Sequence, residues 1–321
     1  MSLGIILVNL GTPSAPTPKA LRHYLREFLG DARVVPLPRV LWLPLLYTVI
    51  SVIRASKTAK AYQKIWMEKG SPLAVHTLAL ADKLREQGWV VEVAMRYGQP
   101  DIDFALARLK EQGCRSFFIL PLYPQYSQTT TASVFDKIGE VLSRWPQQPS
   151  FYFLADYHAQ SAYIDAVAGS IGRFWEQYGR PQRLLISFHG LPEKSRSQGD
   201  PYYEQCLTSG RLIAEKLELS QSEWQLVFQS RFGPTKWLQP YCVEVLSNLP
   251  ARGITNVDVV CPGFAVDCLE TLEEIAQTNR DIFLAAGGRQ YRYIPALNSQ
   301  PGHVKMIEKL IRNRIHTPLN L

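Results

Sequence analysis

Short runs rich in β-branched and aromatic residues alternate with amphipathic stretches from one end of the chain to the other. The runs fall at 5–10, 90–95, 117–122, 151–155, 184–188, 224–228, 257–261 and 291–294. Helical periodicity fills the gaps at 19–29, 77–87, 102–112, 203–216 and 269–277. Strands separated by helix-length connections cannot pair through tight hairpins, so they pair in parallel through crossovers. The pattern predicts an α/β, doubly wound fold. With 321 residues the chain suits one large domain or two ordinary ones.

A weak internal duplication favours two. GIILVNLGTP at 4–13 resembles RLLISFHGLP at 183–192, VAMRYGQP at 93–100 resembles FQSRFGP at 228–234, and FFILPLYP at 117–124 resembles VDVVCPGF at 257–264. The order is the same in both halves, and the second starts near residue 150. The first half carries about 45 extra residues after its first strand. That excess holds VLWLPLLYTVISVI at 40–53, fourteen residues without a charge, bracketed by Arg39 and Arg54. A spanning helix needs about 20 apolar residues, and Pro44 is expected to interrupt this one, so the expectation is no transmembrane span. Instead it reads as a buried helix or as an apolar lip, with Trp42 and Tyr47 at an interface and Leu43 and Leu46 among its apolar residues. Its place beyond a strand's carboxyl end, where open α/β sheets bind ligands, favours the lip.

Composition excludes several classes. Apolar residues make up 46% and charged residues 20%, which rules out intrinsic disorder. The net charge of +7 suits anionic ligands or lipid, but no Lys/Arg block exceeds two residues, so no nucleic acid is expected as a partner. Neither G-x-G-x-x-G after a strand nor G-x-x-x-x-G-K-[ST] is present, which speaks against a nucleotide enzyme. Cys114, Cys206, Cys242, Cys261 and Cys268 are odd in number and match no zinc spacing. A reduced compartment, and with an N-terminus that reads as a strand a cytoplasmic protein, is the expectation.

Three clusters could carry chemistry. His189 ends the run LLISF before Gly190, at a strand edge where reactive groups sit; its neutral imidazole can accept a proton or ligate a metal. A histidine bonded to a loop carbonyl is the plainer alternative. In DCLETLEE, helical projection puts Leu269, Leu272, Ile275 and Ala276 on one face and Glu270, Glu274 and Gln277 on the other. The acids form either a cation-binding, proton-accepting row or, for Asp267 and Glu270, a capping box. The third cluster, PLYPQYSQTTTAS at 121–133, offers Tyr123, Tyr126, Ser127 and Thr129 to Thr131 as a wall for a flat ligand or as a helix cap. Trp237 is a second wall or core.

SFHGLPEKSRSQGDPYY at 187–203 closely resembles the signature of the ferrochelatases, which insert ferrous iron into a porphyrin. PQYSQTTTAS, FQSRFGPTKWL and GFAVDCLETLEEI match other family blocks in the right order, and the last resembles the Gram-negative branch. The resemblance implies two Rossmann-like doubly wound domains with a porphyrin cleft between them. One is residues 1–150 plus a returning C-terminal helix at 302–321, with the lip insertion at about 30–75; the other is 151–301. It implies Fe²⁺ and protoporphyrin IX as substrates of a heme-forming lyase, with coproporphyrin or sirohydrochlorin chelation, or non-catalytic heme carriage, as alternatives. His189 and Glu270 match the pair facing each other across the porphyrin centre, and Glu274 continues an acidic path, the three together being the expected metal contacts. Arg54, Ser71 and Tyr126 match porphyrin-edge positions, Arg54 as a propionate partner. Trp237 lies in a matched block, and Leu10 stands where some members place Met or Tyr below the ring. No cofactor is expected, and no [2Fe–2S] cluster, because the tail HTPLNL has no cysteine. The lip at 40–53 implies peripheral contact at the inner face of the membrane.

Overall fold

The computed structural model describes residues 3–233 and 235–315. Two compact units divide the chain, Met1–Asp156 and Tyr157–Leu321. The first unit holds strands β1 (Leu3–Gly11), β2 (Val90–Tyr97), β3 (Ser116–Pro121) and β4 (Ser150–Phe153). The second holds β5 (Arg183–His189), β6 (Trp224–Gln229), β7 (Asn256–Val260) and β8 (Gln290–Ile294). All eight match the expected runs: the strands covered on both faces read as continuous apolar segments, and the exposed β4 through its aromatic residues.

Both sheets are wholly parallel, and their strand orders are β2-β1-β3-β4 and β6-β5-β7-β8. Counted within each unit the order is the same, 2-1-3-4, so the duplication in sequence is a duplication of topology. A shared detail follows β2 and β6: the Met95 and Phe228 N–H groups each donate to a proline carbonyl, Pro100 at 2.6 Å and Pro240 at 2.8 Å. Each unit has its own core, one around Ile6, Leu106, Ile119 and Val134, the other around Leu185, Val227, Val259 and Phe283. All five cysteines are buried free thiols.

One expectation needs correction. Pro44 does not end its helix. Residues Arg39–Leu45 run into a wider turn with i→i+5 bonding at Leu46–Ile50 and on through Ser51–Ile65. Proline deletes one backbone donor; here the Thr48 hydroxyl donates to the Pro44 carbonyl at 2.7 Å, and the wider turn next to it accommodates the ring. The resulting 27-residue helix is long and apolar enough, by length and composition, to cross a membrane. It is tied to helix Pro18–Gly30 of its own unit: Trp42 Nε1 donates to Leu29 O at 2.7 Å, Arg26 to Tyr47 O at 2.9 Å and to Ser51 Oγ at 3.2 Å, and Arg39 to Gly30 O. Trp42 is thus held against helix Pro18–Gly30, and Leu46 is fully buried, whereas Val40, Leu41 and Ile53 are 85%, 73% and 69% exposed.

The C-terminal helix is described to Ile315. Its described part, Pro301–Ile315, packs on helix Ser161–Tyr178 of the second unit, burying Val304, Ile307, Leu310 and Ile311, and Arg173 donates to Gln300 at 3.2 Å. Residues 316–321 lie outside the described residues. His303 in its first turn is buried, Nδ1 bonded to Asn298 O at 2.5 Å, and burial pushes its pKa down to about 4. Between that value and the unfolded value near 6.5 the unfolded chain binds the extra proton, so this histidine makes stability fall as pH drops through the window. Acid unfolding curves of His303→Gln should lack that part of the slope; an unchanged slope would refute it.

Candidate active site

In the second unit β5 delivers His189 to the carboxyl edge of its sheet, half-buried. Its Nδ1 lies 2.7 Å from Gly190 O. A carbonyl only accepts, so in the neutral ring Nδ1 carries the hydrogen and Nε2 the lone pair. The plainer alternative, a loop-carbonyl bond, is therefore real and at the same time fixes which nitrogen is basic. Gly190 N–H donates to Gln229 O at 2.7 Å. A Cβ at Gly190 would lie 2.7 Å from that oxygen and 3.3 Å from the Trp237 ring, so the missing side chain lets strand and indole close in beside His189. Trp237 bridges to Pro192 and meets Phe232 edge-on at 6.1 Å, its Nε1 buried without a hydrogen-bond partner. Tyr202, near the end of the 187–203 segment, is buried; burial pushes its pKa well above the ordinary phenol range, against a hydrogen bond with the His189 backbone.

The acidic segment differs from an α-helical row. Glu270–Asn279 forms ten residues of π-helix, a rare form that recurs at functional sites. Its buried face is Thr271, Ile275 and Asn279, while Leu272 and Ala276, expected to be core, are half-buried. No capping box forms. The buried Asp267 carboxylate instead accepts from Thr271 Oγ1 at 2.9 Å, Tyr293 OH at 2.6 Å and Asn298 Nδ2 at 2.7 Å. Glu274 accepts from Ser230 N at 2.7 Å and from the Ser230 hydroxyl, with Gln229 Nε2 at 3.5 Å. Burial raises the Glu274 pKa above the usual carboxylate range; the Ser230 bonds and the His189 imidazole pull it down, and Glu270 pushes it up. His189, Glu270 and Glu274 thus share one electrostatic neighbourhood. They are not gathered into a preformed cation cage, and among the described residues no group of three or more His, Cys, Asp or Glu side chains is.

In the first unit Leu10 sits half-buried at the carboxyl end of β1, its N–H donating to Asn9 Oδ1 at 2.8 Å. Asn9 in turn donates to Thr77 at 3.0 Å, fixing helix Pro72–Glu86 against β1. Ser71 is that helix's N-cap: it is buried and its hydroxyl accepts from Ala74 N at 3.3 Å. Arg54, on helix Ser51–Ile65, is half-buried, and burial lowers its pKa. Tyr126 follows β3, half-buried between buried Gln125 and Ser127; Ser127 caps the next turn through Thr129 N at 3.2 Å. Tyr123 packs into the core and its hydroxyl is buried without a hydrogen-bond partner, so it is not part of an open wall.

Sequence reasoning missed Gln229 and Ser230. The repeat alignment held the signal: where the first motif has apolar Ala94 and Met95 before its Arg96, the second has this polar pair before Arg231.

A family model described as ferrochelatase matches residues 2–315. A ferrochelatase of Methylococcus capsulatus is 54% identical over 310 residues, covering 96% of this chain and 95% of its own. Those of Aeromonas hydrophila and Bordetella pertussis are 50% and 49% identical, covering 96% and 98% of this chain and 97% and 88% of their own. Among solved structures, the cobalt complex of the sirohydrochlorin chelatase SirB from Bacillus subtilis subspecies spizizenii is similar at TM-score 0.59 with 13% identity, over 99% of this chain and 97% of that one. CbiX, described as the terminal enzyme for biosynthesis of siroheme in denitrifying bacteria, is similar at 0.51 with 14% identity, over 97% and 98%. These two show the shared fold; the family follows from the relatives and the model, and the chain belongs to the ferrochelatases.

Proposed function

We propose that this metal chelatase inserts Fe²⁺ into protoporphyrin IX to give protoheme, with His189 taking the pyrrole protons and Glu270 and Glu274 passing them on. The observation that carries it is the His189–Glu270–Glu274 neighbourhood at the end of β5, with one basic imidazole nitrogen and one carboxylate whose pKa burial raises. A planar porphyrin hides its four nitrogens, and two of them carry protons that must leave as the metal enters. Neutral imidazole is the right base for that step near neutral pH. Glu274, raised by burial, can hold a proton for longer than an exposed carboxylate before releasing it. Apolar contacts with the ring periphery supply the distortion that exposes the nitrogens, typically ~1–5 kcal/mol. Fe²⁺ is substrate here, so a site that ligates it weakly suits turnover better than a closed cage. Arg54 and Tyr126 are proposed at the propionate edge, Leu10 and Trp237 against the ring.

The test is anaerobic: enzyme, protoporphyrin IX and Fe²⁺ are mixed and porphyrin fluorescence followed. Rapid quenching with heme absorbance appearing is expected. Heme binding without insertion of any divalent metal would leave a carrier on a chelatase fold, and faster insertion into coproporphyrin III would move the substrate assignment.

The proposal includes a cytoplasmic location with the helix Arg39–Ile65 against the inner face of the membrane. Val40, Leu41 and Ile53 supply exposed apolar surface, and Lys57 and Lys60 exposed positive charge along the same helix. Burying a Val or Ile side chain contributes about 1.5–3 kcal/mol. A Val40→Asp, Ile53→Asp double variant should therefore lose co-sedimentation with anionic phospholipid vesicles by about tenfold or more. Equal sedimentation of variant and wild type would sink the membrane assignment.

A further inference from the structure

The acidic row does not orient itself. Gln229, the last residue of β6, is buried, and its amide has a partner on every side. Its Oε1 accepts from Ser187 Oγ on β5 at 2.8 Å and from Cys261 Sγ after β7 at 3.4 Å. Its Nε2 donates to the Glu270 backbone carbonyl at 3.1 Å and reaches Glu274 Oε2 at 3.5 Å. Its own carbonyl receives the N–H of Gly190, next to His189. One residue thus touches the strand that carries His189 and both ends of the Glu270–Glu274 pair.

Ser230 follows in the left-handed region at φ 63°, where a non-glycine residue is uncommon and costs strain. That conformation aims two donors, its N–H and its hydroxyl, at the Glu274 carboxylate. Two hydrogen bonds to one buried carboxyl group offset that strain.

We propose that Gln229 and Ser230 are positioning residues for metal insertion, holding Glu270 and Glu274 in register with His189 without themselves meeting the substrate. This rests on the proton-relay reading above, which the wild-type insertion assay tests separately. Ser230 gives the sharper experiment, because two substitutions separate its hydroxyl from its backbone. Ser230→Ala loses the hydroxyl and keeps the strained φ; Ser230→Gly loses the hydroxyl and relieves it. With the full chain, kcat, KM for protoporphyrin IX and the thermal midpoint are measured for both.

The expected result is a fall in kcat of about tenfold or more in both variants, from loss of one hydrogen bond to the Glu274 carboxyl group, with KM for porphyrin within about twofold. The glycine variant should be at least as thermostable as the alanine variant. Wild-type kcat in Ser230→Gly would overturn the proposal, since the residue would then serve only the turn. A KM for porphyrin rising in step with the loss of kcat would also overturn it, by showing substrate contact. Gln229→Met, close to glutamine in shape but without its donor and acceptor, should lose more than either; if it folds and keeps wild-type kcat, the part assigned to Gln229 is wrong. If it fails to fold, the Ser230 pair still decides.

Discussion

Replacing His189 with alanine should lower kcat for iron insertion by about 10²–10⁴-fold, the usual reach of a positioned general base, while leaving porphyrin binding nearly intact. The loss should not come from unfolding. His189 is half-buried at the end of its strand, and among the described residues its side chain has a hydrogen bond to Gly190 O alone. Because Nδ1 holds that carbonyl, the vacated volume should accept imidazole from solution, and added imidazole should restore part of the rate. Glu270→Gln keeps shape and removes charge, so it should lower kcat without lowering the thermal midpoint. Normal turnover by His189→Ala, with or without imidazole, would show that the pyrrole protons leave by another group. Then Glu270 would be the candidate base.

The sheets were legible because their strands are buried on both faces: Ile5 to Val8 and Leu184 to Ile186 are inaccessible to water, and such runs cannot be anything polar. The equal order of the two sheets was legible only as repeated motifs, since order itself leaves no periodicity. His189 stood out through its glycine and its place at a strand end. Helix form at Glu270–Asn279 was not legible, because i→i+4 and i→i+5 bonding draw on the same residue types. Nor was the orientation of Leu46, which lies in an uncharged run whose apolar residues face both ways. Ser71 shows a further limit: a serine before proline and an apolar run reads equally as a cap and as a ligand contact, and a hydroxyl that accepts from Ala74 N still has its own proton to donate.

The largest effect on stability should come from Gly11→Ala. Gly11 closes β1 at φ +109°, opposite Tyr97 on β2, and a Cβ there would sit 1.7 Å from the Tyr97 carbonyl oxygen. No rotamer change can relieve this, because the obstacle is backbone in a buried parallel ladder. Either β1 and β2 separate at their carboxyl ends or the peptide at Gly11 turns over; the second choice would also displace the Gly11 carbonyl that takes the Tyr24 hydroxyl at 3.3 Å. A cost of about 3 kcal/mol or more follows from strain and clash together, which in a unit of this size lowers the melting midpoint by roughly 6–12 °C. Gly30→Ala supplies the control, since a Cβ there meets nothing within 4 Å, and its stability should stay within about 1 kcal/mol of wild type. Gly190, just after β5, meets the Gln229 carbonyl at the longer distance of 2.7 Å. A shift of that peptide would relieve Gly190→Ala, so its cost should fall between the other two. Because the shift moves the partner of Glu270 and Glu274, that variant should lose more activity than stability, and Gly11→Ala more stability than activity in whatever fraction remains folded. Equal midpoints for Gly11→Ala and Gly30→Ala in thermal unfolding would refute the ordering.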